Sequence, residues 1–193
     1  MRPLTRFPPF SVLRVAAIRV FIMVVMTLFS FSLSQYVRAA PSPDRPTIVL
    51  VHGAFADSSS WNGVVSRLLA KGYPVVAVAN PLRGVQSDAR SVAEALDSIH
   101  GPIILVGHSY GGNVITNAAT GNANVKALVY VAGLAPDSGE SAATLSGKFP
   151  GSTLGPTLAP PVLLAEGGKD LYIKQPDFHA QFAADTCLPH RRR

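Results

Sequence analysis

Ile103-Ile104-Leu105-Val106-Gly107-His108-Ser109-Tyr110-Gly111-Gly112 joins a strand-like run to a G-x-S-x-G turn at the threshold of a helix. The four aliphatic residues from Ile103 to Val106 form the short continuous apolar run found in strands buried on both faces. Apolar residues at helical spacing follow over 113–119. In that strand–turn–helix setting, G-x-S-x-G presents a nucleophilic serine, here Ser109. The turn is strained, and Cβ atoms two residues to either side of the serine would strike neighbouring backbone; glycine at 107 and 111 removes them. The helix that follows aims its free N–H groups and positive dipole end at a developing oxyanion. Gly112 lets that helix pack closely on the sheet. A dinucleotide-binding loop is excluded, because G-x-G-x-x-G needs glycine where Ser109 stands. The bland alternative is a structural Gly-Ser turn, and the flanking strand and helix argue against it.

Outward from this motif, strand-like and helix-like segments alternate. Thr47-Ile48-Val49-Leu50-Val51 is a second continuous apolar run. Trp61, Val64, Val65, Leu68 and Leu69 have helical spacing over 61–71, closed by Gly72. A strand is expected over 74–79, a helix over 91–99 with Val92, Ala95, Leu96 and Ile99 on one face, and a strand over 125–132. Strands alternating with helices through short loops predict an α/β fold, a parallel sheet covered by helices on both faces. No internal repeat is present.

The first residues have a different character. Arg2, Arg6, Arg14 and Arg19 precede an apolar run from Val20 to Phe29, and Val37-Arg38-Ala39 supplies small residues before Pro41. This order of basic, apolar and small residues marks a secretory signal over 1–39, and export to the periplasm or the extracellular space. The run is shorter than the roughly 20 residues of a spanning helix, so contact with a membrane is expected only if the signal is not cleaved. Made in a Gram-negative host, the protein is expected to lose residues 1–39; an intact mass retaining Met1 on soluble product would contradict this. The signal holds most of the net charge of +6, and Arg191, Arg192 and Arg193 hold half of what that charge amounts to again. The body between is slightly acidic, without a basic stripe, so nucleic acid is not an expected partner. Cys187 is the single cysteine, which excludes an internal disulfide. The His and Cys spacing matches no ligand pattern, so neither a metal nor an organic cofactor is expected.

His52-Gly53-Ala54-Phe55 directly follows the first strand, and a small residue beside glycine lets backbone turn an N–H toward a substrate oxygen. With V-H-G-A-F early and V-G-H-S-Y-G-G at the serine, the chain from about Pro46 to Asp185 resembles the α/β-hydrolase superfamily. The likeness is to its small esterase-like branch, which includes hydroxynitrile lyases and plant methyl-esterase relatives. The resemblance implies a three-layer fold with Ser109 as nucleophile and the backbone N–H groups of Ala54 and Tyr110 as oxyanion hole. It also implies that Phe55 and Trp61 line or buttress the substrate pocket. The expected reaction is carboxylic-ester-type hydrolysis of a small uncharged substrate through an acyl-serine.

A serine needs a base at neutral pH, and the fold places the acid and then the histidine after the serine in chain order. His52 belongs to the His-Gly turn, His108 adjoins the serine and points away, and His100 ends a helix. His179 lies on an expected short helix over 177–184, and His190 sits between Pro189 and three arginines. None occupies the place of the base, so the catalytic histidine is unassigned. Asp170, after the strand-like 161–165, is a candidate acid. The stretch 133–185, with its prolines, Asp137 and short helices, also reads as a cap over the site, and both readings stand. After Asp185 the pattern breaks into a basic tail, 186–193. The expected organisation is signal 1–39, nucleophile-bearing core 40–132, cap 133–185 and aberrant tail, with the sheet incomplete on its C-terminal side. A frame change is the expected origin, with the missing acid and histidine encoded downstream in another frame. An inactive remnant or binding scaffold is the alternative to an active esterase.

Overall fold

The computed structural model describes residues 45–148, 150–165 and 167–186. The signal over 1–39 and the tail from Cys187, including His190 and the three terminal arginines, lie outside the described residues. Four parallel strands form one sheet: β1 (Thr47–Val51), β2 (Val75–Val78), β3 (Ile103–His108) and β4 (Val125–Val131), in the order β2-β1-β3-β4. Between them run α1 (Asn62–Ala70), preceded by a 3₁₀ turn at Ser58–Trp61, then α2 (Val85–Asp97) and α3 (Tyr110–Ala118).

The apolar runs of β1 and β3 are continuous because both faces of the sheet are covered. Val49 and Val51 of β1 pack with Val92 and Leu96 of α2 and with Val114 and Ile115 of α3. Ile48 and Leu50 point the other way, to Trp61, Val106 and the partly buried Val65 and Leu68 of α1. Each fully buried aliphatic side chain contributes about 1.5–3 kcal/mol of transfer free energy. The expected three layers are present.

Helix α2 starts at Val85, six residues before the expected boundary, with Gly84 as its N-cap at φ 147°. Its first turns are mostly polar, so the apolar spacing alone did not reveal them. Helix α3 likewise starts at Tyr110, directly on the serine. Strand β4 is an outer strand of the sheet, and Val129 and Val131 on it are exposed.

After β4 come α4 (Ala142–Gly147), the helical turn α5 (Leu154–Thr157), strands β5 (Val162–Leu163) and β6 (Lys169–Asp170), and α6 (Gln175–Phe182). β5 and β6 pair only with each other, antiparallel, in a separate two-stranded sheet. The expected strand over 161–165 is therefore two residues long and does not extend the main sheet. No helix among the described residues is long and apolar enough to cross a membrane.

The strand order reverses between β1 and β3, and in open parallel sheets ligands bind beyond the carboxyl ends of strands at such a point. Backbone strain marks the same edge. Among the described residues, the non-glycine residues with positive φ are Phe55, Leu82, Ser109 and Ala132. They lie just beyond the carboxyl ends of β1, β2, β3 and β4 in turn. Such conformations cost roughly 1–3 kcal/mol each and gather at functional sites.

Candidate active site

Ser109 sits at φ 52°, ψ −122°, between the end of β3 and the start of α3. Three backbone bonds hold it: its N–H donates to Val131 (3.2 Å), and its carbonyl accepts from Gly112 (2.9 Å) and Leu134 (3.1 Å). A Cβ on Gly107 would stand 2.5 Å from the Gly111 carbonyl oxygen, and one on Gly111 would stand 2.6 Å from that of Val51. The first clash is the one anticipated across the turn. The second shows that Gly111 is also needed where α3 crosses the end of β1. Gly112 presses against the Leu134 backbone, so its smallness serves the loop after β4 rather than the sheet.

Gly53 brings the loop after β1 onto this turn, since a Cβ there would lie 2.9 Å from both the His108 carbonyl oxygen and Ser109 Cβ. The sequence-predicted oxyanion residues Ala54 and Tyr110 therefore flank the serine from two adjacent strands. Neither of their N–H groups has an acceptor among the described residues. Both residues line a cleft of about 670 Å³, within the roughly 300–1,000 Å³ of small-molecule sites. Phe55, Leu82, Tyr172 and Phe178 supply its apolar wall; Ser109 itself is not among the lining residues. Phe55 meets Phe182 of α6 edge-on at 5.9 Å, which ties the loop after β1 to the segment after β4.

Trp61, expected to line or buttress the pocket, does only the latter. It is buried in the core beneath β1 and β3, with its ring edge-on to His108 at 6.3 Å. The ring is drawn into the core because Val65 and Leu68 of α1 pack with it against Ile48, Leu50 and Val106.

The described histidines are engaged elsewhere. His52 is buried; its Nε2 accepts from the Asn80 N–H (3.0 Å), so the proton belongs on Nδ1, which donates to the Gly53 carbonyl (2.9 Å). With Asn80 Nδ2 returning a bond to the His52 carbonyl (3.2 Å), this pair fixes the loops after β1 and β2. His100 is exposed, and His179 Nε2 meets the Thr186 carbonyl (2.9 Å). His108 packs against Trp61, and burial lowers its pKa. The sign of the pH effect follows. Below the ordinary value of 6.5 the unfolded chain takes up a proton that folded His108 resists, so stability falls as the pH drops through that value. His108→Gln should flatten this part of a stability–pH curve measured by urea unfolding.

Asp170 lines the cleft from β6, but its carboxylate pairs with Arg83 Nη2 at 2.9 Å. The expectation that it ends a main-sheet strand and orients a histidine is not met, since β5–β6 is a separate hairpin and no described histidine bonds to it. With Arg83 half exposed, a double-mutant cycle should assign this pair no more than about 1 kcal/mol. Asp137 is exposed and accepts the Ser138 N–H. Among the described residues no group of three or more side chains could hold a metal ion.

Sequence reasoning passed over Arg83 and the fully buried Asp88, which accepts a hydrogen bond from the Tyr110 hydroxyl (2.8 Å). The available signal was Asp88 standing three residues after Val85 and four before Val92, on the apolar face of α2.

Known proteins share this fold. Residues 48–192 match the alpha/beta hydrolase family. The chain is 30% identical over 116 residues to the alpha/beta hydrolase nvfD of Aspergillus novofumigatus, a match covering 50% of this chain and 46% of that one. In structure it is similar to an extracellular alpha/beta-hydrolase from a Paenibacillus species, described as sharing structural and functional homology with tobacco salicylic acid binding protein 2. That likeness has a TM-score of 0.50 at 26% identity, covering 58% of this chain and 49% of the other. The pyrethroid hydrolase PytH shares the fold, with a TM-score of 0.62 at 24% identity over 75% of this chain and 65% of its own. The chain spans about half the length of the curated relative it matches.

Proposed function

This chain belongs to the alpha/beta hydrolase family, and from that premise we propose that it carries the nucleophile and oxyanion hole of a serine-dependent esterase. One observation carries the proposal. Ser109 holds a strained positive φ at the first turn of α3, beside two N–H groups, of Ala54 and Tyr110, that no described acceptor occupies. Strain of this kind persists only where the surroundings enforce it, and Gly53, Gly107 and Gly111 are the enforcing contacts.

In the proposed reaction Ser109 Oγ attacks the carbonyl carbon of a small ester. The carbonyl oxygen becomes an oxyanion held by the two N–H groups, which act most strongly where charge develops. Collapse expels the alcohol and leaves an acyl-serine, which water hydrolyses. The aromatic and aliphatic wall of the cleft suits an apolar group of the ester, although Asp57, Arg83, Lys169 and Asp170 line it as well. Export is part of the proposal and rests on the residue order over 1–39. The experiment is to incubate the chain with an activated ester, quench in acid and map the acyl group by mass spectrometry. Acyl on the peptide holding Ser109, absent from Ser109→Ala, supports the proposal; acyl elsewhere only would sink it.

A second reading is a binding scaffold without turnover. The observation favouring it is that no described histidine hydrogen-bonds Ser109.

A further inference from the structure

Asp88 has no part in the reaction above, yet it is fully buried on α2 and has no cationic partner among the described residues, the Arg83 guanidinium turning to Asp170 instead. A buried carboxylate is tolerated only when donors replace its lost water. Three do so here. Its Oδ1 accepts from the Arg83 backbone N–H (2.9 Å) and, more weakly, from Ser87 Oγ (3.3 Å), whose one proton is shared with the Gly84 carbonyl (2.9 Å), and its Oδ2 accepts from the Tyr110 hydroxyl (2.8 Å). The third donor is the side chain of the residue whose backbone N–H faces the proposed oxyanion.

We propose that Asp88 is a positioning residue for the oxyanion hole, acting through Tyr110. The proposal rests on the reading of Ser109 and Tyr110 given above. Tyr110 is the first residue of α3, and the peptide that carries its N–H is held through its other half, the Ser109 carbonyl, by Gly112 and Leu134. Its ring adds a tether from a different element: the backbone end belongs to the serine turn, and the phenol end is anchored on α2. The anchor is itself rigid, since Asp88 is held by the loop after β2 and by its own helix. Tyr110 stays a donor, because burial first and then the bond to Asp88 raise its pKa far above the ordinary phenol value. If Asp88 only satisfied the packing of α2, removing the phenol oxygen would leave the serine turn undisturbed.

The test is amide hydrogen exchange in the full ¹⁵N-labelled chain, read by NMR. Gly112 and Leu134 report on the serine turn, because both N–H groups donate to the Ser109 carbonyl; Val49 in β1 reports on global opening. Losing a hydrogen bond to a charged group should speed local opening by about tenfold. Tyr110→Phe and Asp88→Ala are therefore expected to raise exchange at Gly112 and Leu134 by about that factor and at Val49 by less than about twofold. Asp88→Asn should stay near the unsubstituted chain, since its Oδ1 still accepts from Arg83 and Ser87 while Nδ2 donates to the phenol oxygen. Unchanged exchange at the turn, an equal rise at Val49, or Asp88→Asn behaving like Asp88→Ala would each overturn the proposal. Should Asp88→Ala not fold, Tyr110→Phe, which removes one oxygen and no charge, carries the comparison. Ester turnover is not the readout, so failure of the esterase proposal would show separately, as a chain whose Ser109 is never acylated.

Discussion

Purified chain is expected to hydrolyse a small activated ester such as p-nitrophenyl acetate only marginally faster than its Ser109→Ala variant. The cause is local. His52 has both ring nitrogens committed to Gly53 and Asn80, His108 packs on Trp61, His100 is exposed and His179 bonds to Thr186. No described base can take the Ser109 proton, and loss of the base in a serine hydrolase costs on the order of 10⁶ in turnover. What remains is the proposed oxyanion hole and the cleft, which by themselves give a far smaller rate enhancement. Added imidazole should raise turnover more in the chain than in Ser109→Ala, because an external base can serve a serine that is otherwise correctly placed. Sustained Ser109-dependent turnover without imidazole would show that a base reaches the serine after all.

The second large effect concerns the turn itself. Gly107→Ala places a methyl group 2.5 Å from the Gly111 carbonyl oxygen and 2.8 Å from the Gly112 nitrogen. Both obstacles are backbone, so neither can rotate away, and the strand and helix must separate. Overpacking of this kind costs about 3 kcal/mol, which for a domain of this size lowers the melting temperature by roughly 6–12 °C. Gly63→Ala is the internal control. It lies in α1 with nothing within 4 Å of the added carbon, and alanine is favoured over glycine in a helix by up to about 1 kcal/mol. Thermal unfolding followed by circular dichroism should therefore drop for Gly107→Ala and hold or rise for Gly63→Ala. Equal melting temperatures for the two would mean that the turn is not built as described.

The four strands were legible because each is a short, mainly aliphatic run; the central β1 and β3 are buried on both faces, the outer β2 and β4 only in part, and β1 matches its expected bounds, Thr47–Val51. The serine turn was legible for a different reason: its glycines are demanded by backbone contacts that the motif spacing encodes. The start of α2 was not legible, because Asp88 interrupts the apolar stripe and its donors come from Arg83 and Tyr110, residues brought to it only by the fold. For Trp61 the resemblance left lining and buttressing open, and the fold decides for the second, since the side chain packs in the core with Ile48 and Leu50. The β5–β6 hairpin has two-residue strands, too short for any periodicity to register, so Asp170 could be placed only by its contact with Arg83.

The central claim is that the fold singles out Ser109 among the serines of this chain. Prolonged incubation with a fluorophosphonate, followed by peptide mapping, tests it directly. The reagent's phosphoryl oxygen seeks oxyanion donors, and its phosphorus reports which hydroxyl lies beside them. The predicted result is slow labelling of Ser109 in the folded chain, lost on unfolding in urea. Labelling spread over the exposed serines, with the same distribution in the folded and the unfolded chain, would contradict it.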